Sequence, residues 1–290
     1  MPPRRARNGN AARRLAIVLP ALLLAGCQSV YFRTLNFGKA HGSTVQFDAA
    51  NDLHLDVYRP EAQPSKTPVV VFFYGGSWRN GSRDDYRFVG QALAQQGLLV
   101  LVPDYRKAPE HPFPAFMYDA ATAVAWARAH AAEYGGDPSR VFLMGHSAGA
   151  QIAALLGTDG RYLAPHGLRP RDLSGIVGLA GPYDFLPLTD PLVMEALGPP
   201  SGWRATQPIN FVDGDEPPFL LVQGDADRVV DPGNTPRFAT RLRKHGDTVT
   251  TTIVPGAGHV GLLNGFSSRK LSPVLADGVE WIRGKDSVGE

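Results

Sequence analysis

The chain has almost no cysteine: one residue, Cys27, in 290. A disulfide framework is therefore excluded. It also has no long apolar run, because the stretch from Leu15 to Leu24 is interrupted by Pro20 and falls short of the roughly 20 residues that a membrane-spanning helix needs. There is no internal repeat and no low-complexity tract. Net charge is nearly balanced, with 29 Lys and Arg against 27 Asp and Glu. Even the small positive excess is local, since Arg4, Arg5, Arg7, Arg13 and Arg14 all fall in the first 26 residues, which contain no acid. The remainder is mildly acidic, which argues against a nucleic-acid partner.

What is present at the N-terminus reads as a leader: an Arg-rich start, then the apolar core Leu15-Ala16-Ile17-Val18-Leu19-Pro20-Ala21-Leu22-Leu23-Leu24. It ends in Leu24-Ala25-Gly26-Cys27, which resembles the lipobox of bacterial lipoproteins. The resemblance implies a signal peptide over residues 1–26, a lipid on Cys27, a tether over residues 27–42 and a domain over residues 43–285. Gln28, rather than Asp, beside that cysteine implies the periplasmic side of the outer membrane in a Gram-negative cell.

Beyond the leader, apolar runs of strand length alternate with helical spacing. Residues 43–58 predict a hairpin around Ala50-Asn51-Asp52. Val69-Val70-Val71-Phe72-Phe73 predicts a strand buried on both faces, and residues 98–102, 141–144, 176–180, 219–223 and 250–254 predict further strands. Helices are expected over residues 83–96, 119–134 and 150–156 and around 234–245 and 272–284. This alternation predicts an α/β fold with a mostly parallel central sheet covered by helices on both sides. Residues 185–218 are different, rich in Pro and Gly with scattered Leu, Met and Trp. Lying between two core strands, they predict a lid or pocket wall.

The chain is organised around Gly145-His146-Ser147-Ala148-Gly149, set between the apolar run 141–144 and the small-residue run that starts at Ala150. A buried strand, a turn too tight for flanking side chains and a closely packed helix would leave Ser147 at an exposed, strained apex. Such a nucleophile needs donors for the oxyanion, a base and an acid. Tyr74-Gly75-Gly76-Ser77-Trp78 follows an early strand, so the N–H groups of Gly76 and Ser77, with that of Ala148, are candidates for the oxyanion hole. Among eight histidines, His259 alone follows a late strand in a Gly-rich loop, whereas His146 adjoins the nucleophile and is expected to point elsewhere. The acid is sought after the strand 219–223, where Asp225 and Asp227 are both within reach. Trp78 and Tyr105 are candidates for the pocket wall. No metal or organic cofactor is required by this constellation.

Together these segments resemble the α/β-hydrolase superfamily. Asp104-Tyr105-Arg106-Lys107-Ala108-Pro109-Glu110-His111-Pro112-Phe113-Pro114-Ala115 is similar to a stretch in carboxylesterases related to hormone-sensitive lipase, and in feruloyl-esterase-like and kynurenine-formamidase-like relatives. The resemblance covers residues 52–284 and implies an esterase acting through Ser147, His259 and Asp227, since the family acid stands three residues after a glycine matched by Gly224. An amidase or arylformamidase on the same residues, or a lipid-anchored binding protein with weak catalysis, are the alternatives. One departure is Tyr74, where these esterases usually have histidine. Ser77-Trp78 is closer to the Gly-Gly-x-Trp version of the formamidase-like members.

Overall fold

Val69, Val70, Val71, Phe72 and Phe73 are all fully buried, as a β-branched and aromatic run must be when helices cover both faces of its sheet. They form β3 (Thr67–Phe73), next to the middle of an eight-stranded sheet. The computed structural model describes residues 30–62, 67–268 and 270–284. The segment expected to be a leader, with Cys27, lies outside the described residues. The chain divides into two units, Met1–Gly38 and Lys39–Glu290. In the first, residues 30–35 are helical.

The strands are β1 (Ser43–Asp48), β2 (Leu53–Tyr58), β3, β4 (Leu99–Pro103), β5 (Gly136–His146), β6 (Gly175–Leu179), β7 (Phe219–Gly224) and β8 (Val249–Val254). Their order is β1-β2-β4-β3-β5-β6-β7-β8. The opening hairpin β1–β2 and its junction with β4 are antiparallel, and every other pairing is parallel. The helices are α1 (Arg87–Ala94), α2 (Ala115–His130), α3 (Ala148–Thr158), α4 (Pro191–Leu197), α5 (Asn234–His245) and α6 (Val274–Gly284). α1 approaches α6, and α2 approaches α3. Among the described residues no helix is long and apolar enough to cross a membrane.

Three elements differ from the sequence expectation. The helix expected over residues 83–96 begins as a 3-10 turn, Arg83–Tyr86, and only then becomes α1. At the junction Tyr86 has φ −113° and ψ 21°, which takes it off the helix and buries its ring. The helix expected at 119 starts at Ala115, directly after Pro114, and its last turn, Ala131–Tyr134, is 3-10. Strand β5 is longer than its apolar core, since Gly136 already pairs with Thr67 of β3. The polar run Asp137-Pro138-Ser139-Arg140 hides that extension from a hydrophobicity reading.

Parallel strands point their carboxyl ends the same way, so the loops after β3, β5, β7 and β8 meet at one edge. The segment between β6 and β7 returns over that edge as α4 and two 3-10 turns, Pro200–Thr206 and Pro208–Phe211.

Candidate active site

β5 ends at His146, and the next residue turns sharply: Ser147 has φ 56° and ψ −122° and caps α3, which is buried along its whole length. Only close packing holds a non-glycine residue there. The ideal Cβ of a side chain at Gly149 would lie 2.0 Å from the Phe73 carbonyl oxygen, so the helix can sit against β3 only with glycine at that position. The Ser147 N–H donates to the Leu179 carbonyl at 2.9 Å, which fixes the turn to β6.

Ser147, Asp227 and His259, separated by 80 and 32 positions in sequence, come together at this edge. Ser147 Oγ lies 2.8 Å from His259 Nε2, and His259 Nδ1 lies 2.8 Å from Asp227 Oδ2. All three side chains are nearly buried. Asp227 is held further by the N–H groups of Val229 and Val230 on Oδ1, at 2.8 and 3.0 Å, and by Gln223 Nε2 on Oδ2 at 3.1 Å. Burial pushes its carboxyl up, but the His259 hydrogen bond and charge and the two backbone donors outweigh it and hold it below the usual aspartate value. Asp225 has a different place: its Oδ1 accepts the Gly256 N–H at 2.6 Å, tying the acid loop to the histidine loop. The Ala226 N–H donates to the Ala257 carbonyl at 3.2 Å and adds a second tie.

Across from Ser147 the loop after β3 turns through φ 131° at Gly76, 54° at Ser77 and 58° at Trp78. A Cβ at Gly76 would fall 2.2 Å from the Asn80 carbonyl oxygen, so this turn needs glycine. Among the described residues the N–H groups of Gly76, Ser77 and Ala148 donate to no protein acceptor. They remain available to a negatively charged oxygen.

Trp78 lines the cavity, and it is also 3% exposed, with Nε1 donating to Gln151 Oε1 at 2.9 Å and its ring stacked on Phe185 and Phe116. Tyr105 does not line the cavity, contrary to the sequence expectation. It lies beneath the loop, 4.6 Å from the Tyr74 ring, with its hydroxyl donating to the Tyr74 carbonyl at 3.0 Å. Tyr74, the departure from the family pattern, donates its hydroxyl to Asp104 Oδ1 at 2.8 Å and accepts from Lys107 Nζ at 2.9 Å. Burial and the neighbouring Tyr105 and Asp104 push that phenol well above its ordinary value, so it stays a neutral donor.

The cavity over Ser147 has a volume of about 440 Å³. One wall is apolar, with Phe185, Leu186, Leu188 and Val193 from the segment after β6 and Val229 and Val230 from the acid loop. The other is charged. Arg237 of α5 donates to Asp184 at 2.7 Å and to Asp231 at 3.0 Å. Neither this clasp nor Tyr86, which reaches Gly75 and His146, is legible in the sequence, because the clasp reaches 53 positions back to Asp184 and Tyr86 reaches 60 positions on to His146 with no motif to mark either. Among the described residues no group of three or more His, Cys, Asp or Glu could hold a metal ion.

The BD-FAE family model matches residues 55–242, a span that contains the β3 loop, the Ser147 turn and Asp227. The chain belongs to the BD-FAE family. Its relatives include Mycobacterium tuberculosis esterase LipC, 35% identical over 244 residues, covering 77% of this chain and 60% of LipC. Carboxylesterase NlhH of the same species is 44% identical over 115 residues, covering 39% of this chain and 36% of NlhH. The chain spans 60% of the length of LipC and of esterase LipQ. Among solved structures, esterase 2 of Thermogutta terrifontis with propionate bound has a TM-score of 0.70 at 25% identity, covering 84% of this chain and 95% of that one. The same esterase phosphonylated by sarin gives 0.72 at 25% identity over the same shares. This BD-FAE member thus has the α/β-hydrolase fold.

Proposed function

We propose that the protein is a serine hydrolase that cleaves carboxylic esters of small molecules by two-step acyl transfer. The observation that carries the reading is the unbroken line Ser147 Oγ, His259, Asp227, with 2.8 Å at each step, facing backbone N–H groups that have no other acceptor. His259 takes the Ser147 proton as Oγ attacks the ester carbonyl, and Asp227 stabilises the imidazolium that forms. The carbonyl oxygen becomes an anion and is met by the N–H groups of Gly76, Ser77 and Ala148. His259 then protonates the departing alkoxide, leaving an acyl group on Ser147. Water attacks that acyl-enzyme with His259 again as base, the acid departs, and Ser147 recovers its proton. The relatives named as esterases and carboxylesterases support the choice of ester over other acyl groups.

A fluorophosphonate probe is expected to label the purified protein once, on the peptide containing Ser147. Short p-nitrophenyl esters should turn over faster than an aryl formamide of matched size. Labelling elsewhere, or none, overturns the assignment, and faster formamide cleavage moves it to the arylformamidase alternative.

The lipobox resemblance supports a further part of the proposal, attachment to a membrane through a lipid on Cys27. Cells expressing the full chain should incorporate labelled palmitate into it, and Cys27→Ser should remove the label. Undiminished labelling of that variant rules the anchor out.

A further inference from the structure

We infer that His146 is a positioning residue, which holds the oxyanion loop and the base together by bonding to Gly75 through Tyr86 on one side and to the backbone of His259 on the other. The inference rests on the reading of Ser147 and His259 as nucleophile and base. It concerns a histidine that the proposed mechanism leaves unused, buried to 1% exposure directly behind the nucleophile.

The direction of each hydrogen bond follows from chemistry. His146 Nε2 is 3.1 Å from the His259 carbonyl oxygen, which can only accept, so Nε2 carries the hydrogen. Burial, reinforced by His259, pushes the His146 pKa down to about 3. The imidazole is therefore neutral, and its Nδ1 is an acceptor. Tyr86 Oη, 3.1 Å away, must donate to Nδ1. The same oxygen accepts the Gly75 N–H at 3.2 Å. The result is a one-way chain from the Gly75 N–H through Tyr86 and His146 to the His259 carbonyl, with no donor facing a donor.

Packing makes the chain tight. An ideal Cβ at Gly75 would lie 3.0 Å from the His146 carbonyl oxygen and 3.1 Å from its Nδ1, so the loop rests on this residue. On the other side the His146 and His259 rings are 4.8 Å apart. A cation at that distance would oppose the imidazolium that His259 must become, and a neutral ring does not. A buried histidine that merely needed partners could find them on adjacent strands. His146 reaches the oxyanion loop through Tyr86, at the start of α1, and the base loop through the His259 carbonyl. These two loops have to keep their spacing around Ser147 while charge moves between them, and a shift of about 1 Å in such a site can cost about a hundredfold in rate.

The test is a double-mutant cycle on ester hydrolysis, with thermal unfolding as the control for folding. Tyr86→Phe should lower kcat roughly tenfold with KM nearly unchanged, and His146→Leu on the order of a hundredfold. Once His146 is leucine, adding Tyr86→Phe should cost little more, because the chain is already cut. His146→Gln, which keeps a donor near the Nε2 position, should recover part of the loss. Losses that multiply, wild-type kcat in both single variants, or an effect confined to KM or to unfolding temperature would each overturn the inference. If His146→Leu does not fold, Tyr86→Phe alone and the imidazole 15N spectrum decide. That spectrum should show a neutral Nε2–H tautomer of His146 between pH 5 and 8, and an Nδ1–H tautomer or an imidazolium overturns the chain. Because the spectrum is read on resting protein, it judges the chain even if no ester is turned over, an outcome that would instead defeat the reading of the site.

Discussion

Ser147→Ala is expected to lower kcat for a short p-nitrophenyl ester on the order of a millionfold, to the background left by the oxyanion donors and substrate binding. Among the described residues the Ser147 hydroxyl bonds His259 Nε2, and alanine leaves that imidazole no oxygen to activate. The fold should survive. The backbone turn at φ 56° is held by the Ser147 N–H on Leu179 and by the packing of α3 on β3, and alanine keeps both. Thermal unfolding within a few degrees of wild type, together with abolished turnover, is the combined expectation. Turnover within tenfold of wild type would remove Ser147 from the mechanism.

Asp227→Asn should cost on the order of ten-thousandfold in kcat. Its Oδ1 accepts two backbone N–H groups, from Val229 and Val230, which orients the side chain and leaves Oδ2 to face His259 Nδ1. An asparagine held in the same way presents its NH2 to Nδ1, which reverses the tautomer and places a hydrogen on Nε2, where Ser147 needs an acceptor. Asp225→Asn is the matched control. Asp225 bonds the Gly256 N–H and does not touch the imidazole, so its loss should cost well under tenfold. Steady-state rates for the pair settle which aspartate serves His259, and the reverse order would exchange their roles.

The parts of this arrangement that a sequence can announce are those whose physics is local. The Gly145-His146-Ser147-Ala148-Gly149 run carries its own explanation, because only glycine fits where α3 meets β3 at Gly149. The central strands are equally plain, being unbroken apolar runs between glycine and proline breaks. Asp225 and Asp227 follow the same strand, and it is the family resemblance, through Gly224, that implies Asp227. His259 could be ranked because it follows a late strand in the order the fold demands. Tyr105 could not, for a reason that is also physical. An aromatic at the carboxyl edge of β4 can face the cavity or pack beneath the neighbouring loop, and only the stacking on Tyr74 shows the second outcome. Tyr86 and His146 were out of reach altogether, since their partners lie 11, 60 and 113 positions away and their value depends on which way each hydrogen points.

Arg237 ties the segment after β6 to α5 through Asp184 and Asp231, and all three side chains are substantially open to solvent. Exposed pairs of this kind contribute only about 0–1 kcal/mol. Much of the cavity wall belongs to residues 184–193, and besides this clasp the segment is held by the Asp184 and Phe185 N–H groups on Asn234 Oδ1 and Gln207 Oε1, each at 2.8 Å, and by the stacking of Phe185 on Trp78. On the proposed function, sequence changes in that stretch that spare Phe185 would alter which esters are accepted with little effect on the turn at Ser147, which β6 and α3 hold from the other side.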